Sequence, residues 1–158
     1  MTTFGKNLLL PLALGLAACA TPLRVPDGFV QMNQRGELLA RTGDNGVLRV
    51  YEVSDPTKAS DAAFWLEALR SDFVGQRGYV ETGSGEIVDL DGVPGRWLTC
   101  SATVGGVPVG YLIAVWTRTS GPFGIFGRNL QVVEFAAQEP VYTARIEAVK
   151  KALSTVRD

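Results

Sequence analysis

Two alternating stretches joined by a short glycine turn constrain the fold of this chain more than any other feature of its sequence. Residues 96–104 and 109–117 are rich in β-branched and aromatic residues, and Gly105-Gly106-Val107-Pro108 separates them. A loop of four residues and a loop of two give registers of the same parity, so the same side chains share a face in both cases. One face is apolar throughout and is predicted to lie in the core: Leu98, Cys100, Ala102, Val104, Val109, Tyr111, Ile113 and Val115.

The other face of this predicted hairpin carries two tryptophans. In the register of the four-residue loop, Trp97 lies directly opposite Trp116, close enough for the rings to touch. Two indoles on one face are typical of an apolar binding surface. We therefore predict that Trp97 and Trp116 belong to a surface for a ligand or a partner protein.

A glycine-rich loop at residues 118–128 adds three bulky apolar side chains to this candidate surface, namely Phe123, Ile125 and Phe126. Such side chains on a flexible frame are costly to leave in water. Three interpretations stay open: a lip over a ligand cavity, a contact with a partner or the bilayer, and a cap folded back on the core near Trp116.

Residues 28–158 are predicted to form one α+β domain. Alternating stretches around an Asn-Gly pair predict a further hairpin. The four-residue spacing of Trp65, Leu69 and Phe73 predicts one helix, and Pro140 begins a second. The order of these elements predicts an antiparallel sheet of about six strands flanked by two main helices.

Two of the predicted strands contain irregularities. Residues 79–90 are strand-like but interrupted at Gly83-Ser84-Gly85. The strand at residues 130–137 is apolar on both faces except at Gln131 and Glu134. These two polar residues interrupt an otherwise buried pattern.

Residues 1–18 have the pattern of a signal peptide. Lys6 precedes an apolar run that is too short to span a bilayer, which takes ~20 apolar residues. The residues that follow, Leu16-Ala17-Ala18-Cys19, resemble the lipobox of bacterial lipoproteins. In that family the cysteine sulfur takes a diacylglycerol, the peptide is cut before the cysteine, and the new amine is acylated, commonly with palmitate. The resemblance implies a lipid anchor on Cys19.

The same residues allow other interpretations. Ala18-Cys19-Ala20 also fits the small-x-small site of an ordinary signal peptidase, which would release a protein that starts at Thr21. A buried N-terminal helix is a third interpretation, but the prolines at positions 22 and 26 would break it. Residues 19–27 have no periodicity and are predicted to be an extended tether.

Composition excludes several classes of function. The formal net charge is −1 without a basic run, so a nucleic-acid partner has no electrostatic basis. The absence of histidine removes the usual general base and the commonest zinc ligand. If Cys19 carries a lipid, Cys100 has no partner cysteine, and we predict a small buried side chain in a strand. We expect no cofactor, no metal site and no enzymatic activity.

Carboxylates are the remaining candidates for chemistry. Asp89-Leu90-Asp91-Gly92 resembles the start of a calcium loop but lacks the later ligands, so a turn is the better interpretation. A hydrolase would need at least two of Glu86, Asp89 and Asp91 in one cleft.

Scattered turn and core residues resemble the PsbP-like α/β/α sandwich superfamily across residues 25–156. They are Val25-Pro26-Asp27-Gly28-Phe29 at the start of the domain, the turn Asp91-Gly92-Val93-Pro94-Gly95, and the final stretch from Gln131 through Tyr142 to Ala-Leu-Ser-Thr-Val. Members of that superfamily are mostly binding or assembly subunits without catalysis, and many are bacterial lipoproteins.

Together the two resemblances imply a non-enzymatic, lipid-anchored protein of the cell envelope that binds a partner protein. Ala20, not Asp, follows the cysteine, which in a Gram-negative cell favours the outer membrane, facing the periplasm. Two alternatives remain, a carrier or sensor of an apolar small molecule with an aromatic pocket, and a carboxylate hydrolase.

Overall fold

An antiparallel sheet of seven strands with a helix on each face forms the described part of the chain. The computed structural model describes residues 22–34, 37–55, 61–119 and 127–158. Its strands are β1 (Phe29–Gln34), β2 (Glu37–Thr42), β3 (Val47–Asp55), β4 (Val80–Val88), β5 (Pro94–Val104), β6 (Val107–Thr119) and β7 (Arg128–Gln138). Its helices are α1 (Ala62–Arg70), which continues as a π-helical segment (Ser71–Gln76), and α2 (Glu139–Leu153).

The order of strands in the sheet is β1-β2-β3-β7-β6-β5-β4, so β1 and β4 are its edges. All neighbours are antiparallel. These findings confirm the predicted α+β class with two helices. The prediction of about six strands is wrong, because the described residues form seven.

Strand β4 runs without a break through the glycines that were expected to interrupt it. The irregularity is a shift of register against β5 between Glu81 and Gly83. The glycines also make room for the indole of Trp97, since a Cβ on Gly85 would lie only 2.8 Å from the ring atom Cζ2. The glycines of β4 therefore serve side-chain packing within a continuous strand.

The β5–β6 hairpin closes through a turn of two residues, Gly105-Gly106. Their φ angles of 59° and 81° are both positive, as the favoured two-residue hairpin turn requires. In the resulting register Trp97 pairs with Ala114, and Trp116 pairs with Gly95. The direct pairing of the two tryptophans is therefore wrong, because consecutive glycines allow the shorter loop.

The first core lies between the sheet and α1. Asp61 caps α1 by accepting a hydrogen bond from the backbone N–H of Phe64 at 2.9 Å. The buried members of this core are Ala62, Leu66, Phe73, Leu98, Cys100, Ile113, Val115, Leu130 and Val132. Of the eight residues predicted for the core face, Leu98, Cys100, Ile113 and Val115 are buried, and Ala102, Val109 and Tyr111 are partly buried. Val104, at the end of the hairpin, is 56% exposed.

The second core lies between the sheet and α2. Its largest buried side chains include Leu23, Leu48, Leu112, Trp116, Phe135, Tyr142 and Leu153. The rings of Phe135 and Tyr142 stack with centroids 5.5 Å apart, which attaches α2 to the middle of the sheet. Both faces of the sheet are therefore covered along its central strands.

The segment predicted as a tether is packed into this second core over its described part. Leu23 is fully buried. The carbonyl of Pro22 accepts a hydrogen bond from the N–H of Arg157 at 3.0 Å, and the N–H of Arg24 donates to Thr155 Oγ1 at 3.0 Å. The tether was predicted because this stretch has two prolines and no periodic pattern, but a segment without regular secondary structure can still bury a side chain in the core.

Candidate functional site

The residues proposed as an aromatic surface do not form one within the described residues. Trp116 is fully buried, with its indole against Gly95. Trp97 is partly buried on the same face of the sheet, and the ammonium of Lys150 lies 4.8 Å from its ring centre. The remaining predicted site residues lie outside the described residues: Leu16, Ala17, Ala18, Cys19, Phe123, Ile125 and Phe126.

One face of the sheet carries several exposed apolar side chains among the described residues. Helix α1 packs on β5 and β6, and on the same side of β1 and β3 several side chains are exposed, although Leu39 of β2 is only 7% exposed there. Phe29 points to the α2 side, where it meets Phe135, so strand alternation places Val30 and Met32 on the α1 side. Val30 is 70% exposed, Met32 46% and Val53 47%. We call the surface formed by Val30, Met32 and Val53, together with the charged side chains of Glu37 and Arg49, the open face.

A cluster of polar side chains around Glu134 lies on the open face beside α1. The hydroxyl of Tyr111 donates to Glu134 Oε1 at 2.5 Å, and Arg49 Nη1 lies 4.0 Å from Glu134 Oε2. Arg49 Nη2 also donates to Glu37 Oε2 at 3.0 Å, and its guanidinium lies over the ring of Tyr51 at 5.3 Å. Strands β2, β3, β6 and β7 each contribute to this Glu134 cluster.

The tyrosines of the Glu134 cluster are hydrogen-bond donors at neutral pH. Burial, and after it the charge of Glu134, raises the pKa of Tyr51 to about 12. Burial and the hydrogen bond to Glu134 raise the pKa of Tyr111 well above the usual range of a tyrosine. Both hydroxyls therefore stay protonated, and the cluster holds the carboxylate of Glu134 in place.

The sequence carried one signal for this cluster. Glu134 interrupts a strand that is otherwise apolar, and a carboxylate in such a strand requires donors around it. Its partner Tyr111 is 23 residues away in the chain. Only the pairing of β7 with β3 and β6 shows which side chains these donors are.

A second polar cluster surrounds the buried guanidinium of Arg118. Arg118 is 7% exposed, and its Nε donates to Gln131 Oε1 at 2.6 Å. It forms an ion pair with Asp89, whose side chain is fully buried, and its Nη1 lies 3.4 Å from Asp91 Oδ2. Asp89 Oδ1 also accepts the backbone N–H of Asp91 and of Val93, at 3.0 and 2.8 Å. The turn predicted here is confirmed, and Arg118 pairs with its buried carboxylate, Asp89.

The third carboxylate of the hydrolase hypothesis, Glu86, lies on the other side of the sheet. It forms an ion pair with Arg96. Next to that pair, a groove of about 360 Å³ separates α1 from β4 and β5, lined by Ala63, Leu66, Glu67, Arg70, Ser84, Gly85 and Arg96. Arg70 in this groove is itself held by Glu81, with Nε and Oε2 2.8 Å apart. Glu86 is therefore not in one cleft with Asp89 and Asp91.

Cys100 and the described acidic residues are the groups to consider for reactive and metal-binding arrangements. Burial raises the pKa of the Cys100 thiol, so this side chain is a buried strand residue as predicted. Across the described ranges, no group of three or more His, Cys, Asp or Glu side chains is arranged to hold a metal ion. No helix in the described part of the chain is long and apolar enough to cross a membrane.

Comparison with known proteins finds similarity in the fold alone. The sequence matches no protein-family model and no curated protein. Its fold is similar to that of LpqN, involved in cell envelope biogenesis of Mycobacterium tuberculosis. The TM-score is 0.63 at 13% identity, over 86% of this chain and 82% of that one. It is also similar to PA94 of Pseudomonas aeruginosa, a protein of unknown function titled a putative regulator. That match has a TM-score of 0.54 at 8% identity, over 82% of this chain and 96% of the other. At such identities the likeness shows a shared fold.

Proposed function

We propose that this protein is a non-enzymatic, lipid-anchored component of the bacterial cell envelope that binds a partner protein. The observation that carries the proposal is Leu16-Ala17-Ala18-Cys19, placed directly after a short apolar run. The fold supports it, because LpqN, which shares the fold, is involved in cell envelope biogenesis. The PsbP-like resemblance points to the same class of binding and assembly subunits.

Two further features support a binding role without catalysis. The sequence contains no histidine. Within the described residues, Glu134 is held by tyrosine and arginine donors, and Asp89 is held by Arg118. The oxygens of both carboxylates are thus already engaged by donors of the protein itself. Ala20 after the anchored cysteine places the proposed protein on the outer membrane, facing the periplasm, if the cell is Gram-negative.

Replacing Cys19 with serine tests the anchor. The wild-type protein is expected to incorporate a clickable palmitate analogue and to sediment with membranes. Cys19→Ser is expected to lose the label and to keep residues 1–18, because the thiol is the site of lipid attachment. Intact mass of the membrane-extracted protein provides the measurement.

Cys100→Ser is the matched control, because it removes the other cysteine and should leave lipid and processing unchanged. A wild-type mass that corresponds to an unlipidated chain starting at Thr21 would contradict the proposed anchor. That result would support release by an ordinary signal peptidase.

The open face is the surface that we propose for the partner protein. It combines exposed apolar side chains with the charged Arg49 and Glu37, a mixture typical of protein interfaces. Among the described residues, strand β1 is also an edge of the sheet, the position at which an incoming strand can pair. The partner is therefore expected to contact β1 and the side chains of Val30 and Met32.

A photo-crosslinking amino acid at position 32 tests this surface in living cells. Met32 is expected to give an adduct of one defined mass, and the same probe at Val104 should give none. Val104 is a suitable control because it is a comparably exposed apolar residue on the distant β5–β6 hairpin. Adding Val30→Asp should abolish the adduct. Equal adducts at both positions, or an adduct insensitive to Val30→Asp, would contradict the proposed surface.

A further inference from the structure

The chain between the proposed lipid and the folded domain is short. Pro22 already belongs to the domain, since its carbonyl accepts a hydrogen bond from the N–H of Arg157. The three residues from Cys19 to Pro22 span about 10 Å when fully extended. If Cys19 carries the lipid, as the proposed function requires, the end of the domain that holds Pro22 lies close to the bilayer surface.

Leu90 lies at the same end of the domain. The N–H of Leu90 donates to the carbonyl of Val156 at 3.0 Å, while the neighbouring Arg157 donates to Pro22 on its other side. The backbone at residues 156–157 therefore runs between Leu90 and Pro22. With ~5 Å between hydrogen-bonded neighbours, the backbones of Leu90 and Pro22 are about 10 Å apart.

Leu90 is an apolar side chain held rigidly in water. It is 63% exposed at the tip of the turn at residues 89–92. The buried ion pair of Asp89 with Arg118 and the two backbone bonds that Asp89 accepts hold this turn to the domain. The turn therefore presents Leu90 in one direction, without freedom to fold it back onto the core.

Charge does not orient this end of the domain. Residues at this end carry both signs of charge, with Arg24 and Arg157 on the positive side and Asp91 and Asp158 on the negative side. Asp91 faces Arg118 as well, at 3.4 Å. The short reach from the anchor and the exposed side chain of Leu90 are the features that favour contact with the membrane.

We propose that Leu90 enters the phospholipid headgroup layer of the membrane that holds the anchor. The turn at residues 89–92 then faces the bilayer. Strand β5, which begins next to the turn, spans about 35 Å over its eleven residues. The β5–β6 hairpin at its other end is therefore held far from the surface. Leu90 and Val104 mark the two ends of the domain.

Quenching by labelled lipids tests this orientation on the lipidated protein. Leu90→Cys and, separately, Val104→Cys are labelled with a small fluorophore and reconstituted into phosphatidylcholine vesicles that contain a headgroup nitroxide lipid. Cys100 is 1% exposed and Cys19 carries the proposed lipid, so the introduced thiol is the one that reacts. Flotation of the vesicles and intact mass report separately whether the lipid is present.

The expected result is at least threefold stronger quenching at position 90 than at position 104 in protein that floats with the vesicles. Equal quenching in floating, lipidated protein would overturn the orientation and leave the anchor intact. Protein that neither floats nor carries a lipid by mass would overturn the proposed function, and the orientation with it. With the label at Val88→Cys, an exposed position at the end of β4 beside the turn, Leu90→Asp should lower the ratio of quenching at position 88 to quenching at position 104 toward one.

Discussion

Replacing Arg118 with methionine is expected to lower the free energy of unfolding by about 3–5 kcal/mol. The substitution keeps much of the side-chain volume but leaves the fully buried carboxylate of Asp89 without its cation. It also removes the donor to Gln131. An uncompensated buried charge is among the most costly defects that a single substitution can introduce. For a domain of this size the midpoint of thermal unfolding should fall by roughly 10 °C.

Urea unfolding monitored by tryptophan fluorescence measures this loss, and Arg96→Met is the matched control. Arg96 pairs with Glu86, whose side chain is 73% exposed, so its loss should cost less than about 1 kcal/mol. Adding Asp89→Asn to Arg118→Met should recover part of the stability, because it removes the orphaned charge. A loss at Arg118 no larger than that at Arg96 would contradict the role assigned to the buried network.

Replacing Gly110 with alanine is expected to destabilise the domain by about 3 kcal/mol. Gly110 lies in β6 directly beneath α2, and a Cβ there would overlap Cγ of Tyr142. Tyr142 has little room to move, because its ring stacks on Phe135 and its hydroxyl donates to the carbonyl of Tyr111 at 3.2 Å. The added methyl group must therefore displace α2 from the sheet.

Thermal unfolding followed by circular dichroism compares this variant with Gly43→Ala. Gly43 lies in the β2–β3 turn, and a Cβ added there would meet nothing within 4 Å. Gly43→Ala should leave stability within about 0.5 kcal/mol of the wild type. If the two variants unfold at the same temperature, the close approach of α2 to β6 at Gly110 does not have the energetic importance proposed for it.

The alternating pattern was sufficient to predict the strands and the faces of the central hairpin, because side-chain period is a local property of the chain. The register was not predictable in the same way. It depends on whether Gly105-Gly106 both adopt positive φ, which the sequence permits but does not require. The registers for a two-residue and a four-residue loop differ by an even number of positions, so the predicted faces are the same in both. The pairing of Trp97 with Trp116 depended on the loop length and was wrong.

The two polar clusters were beyond the reach of sequence reasoning for a different reason. Gln131 and Glu134 stand out in the sequence of β7, yet their partners Arg118 and Tyr111 lie on another strand. Three residues apart, the two residues of β7 project to opposite faces of the sheet, so one meets α2's side and the other α1's side. A local pattern shows that partners are needed, and only the strand order shows which residues they are.

If the lipid proposed on Cys19 ties the domain to a membrane, the packing of Leu23 has a mechanical consequence. Tension on the chain at Pro22 first reaches the hydrogen bonds to Arg157 and Thr155 and the buried side chain of Leu23. These contacts must rupture before any force acts on β1, the outermost strand. A pulling force from the bilayer would thus detach residues 22–24 first, and the sheet would stay folded.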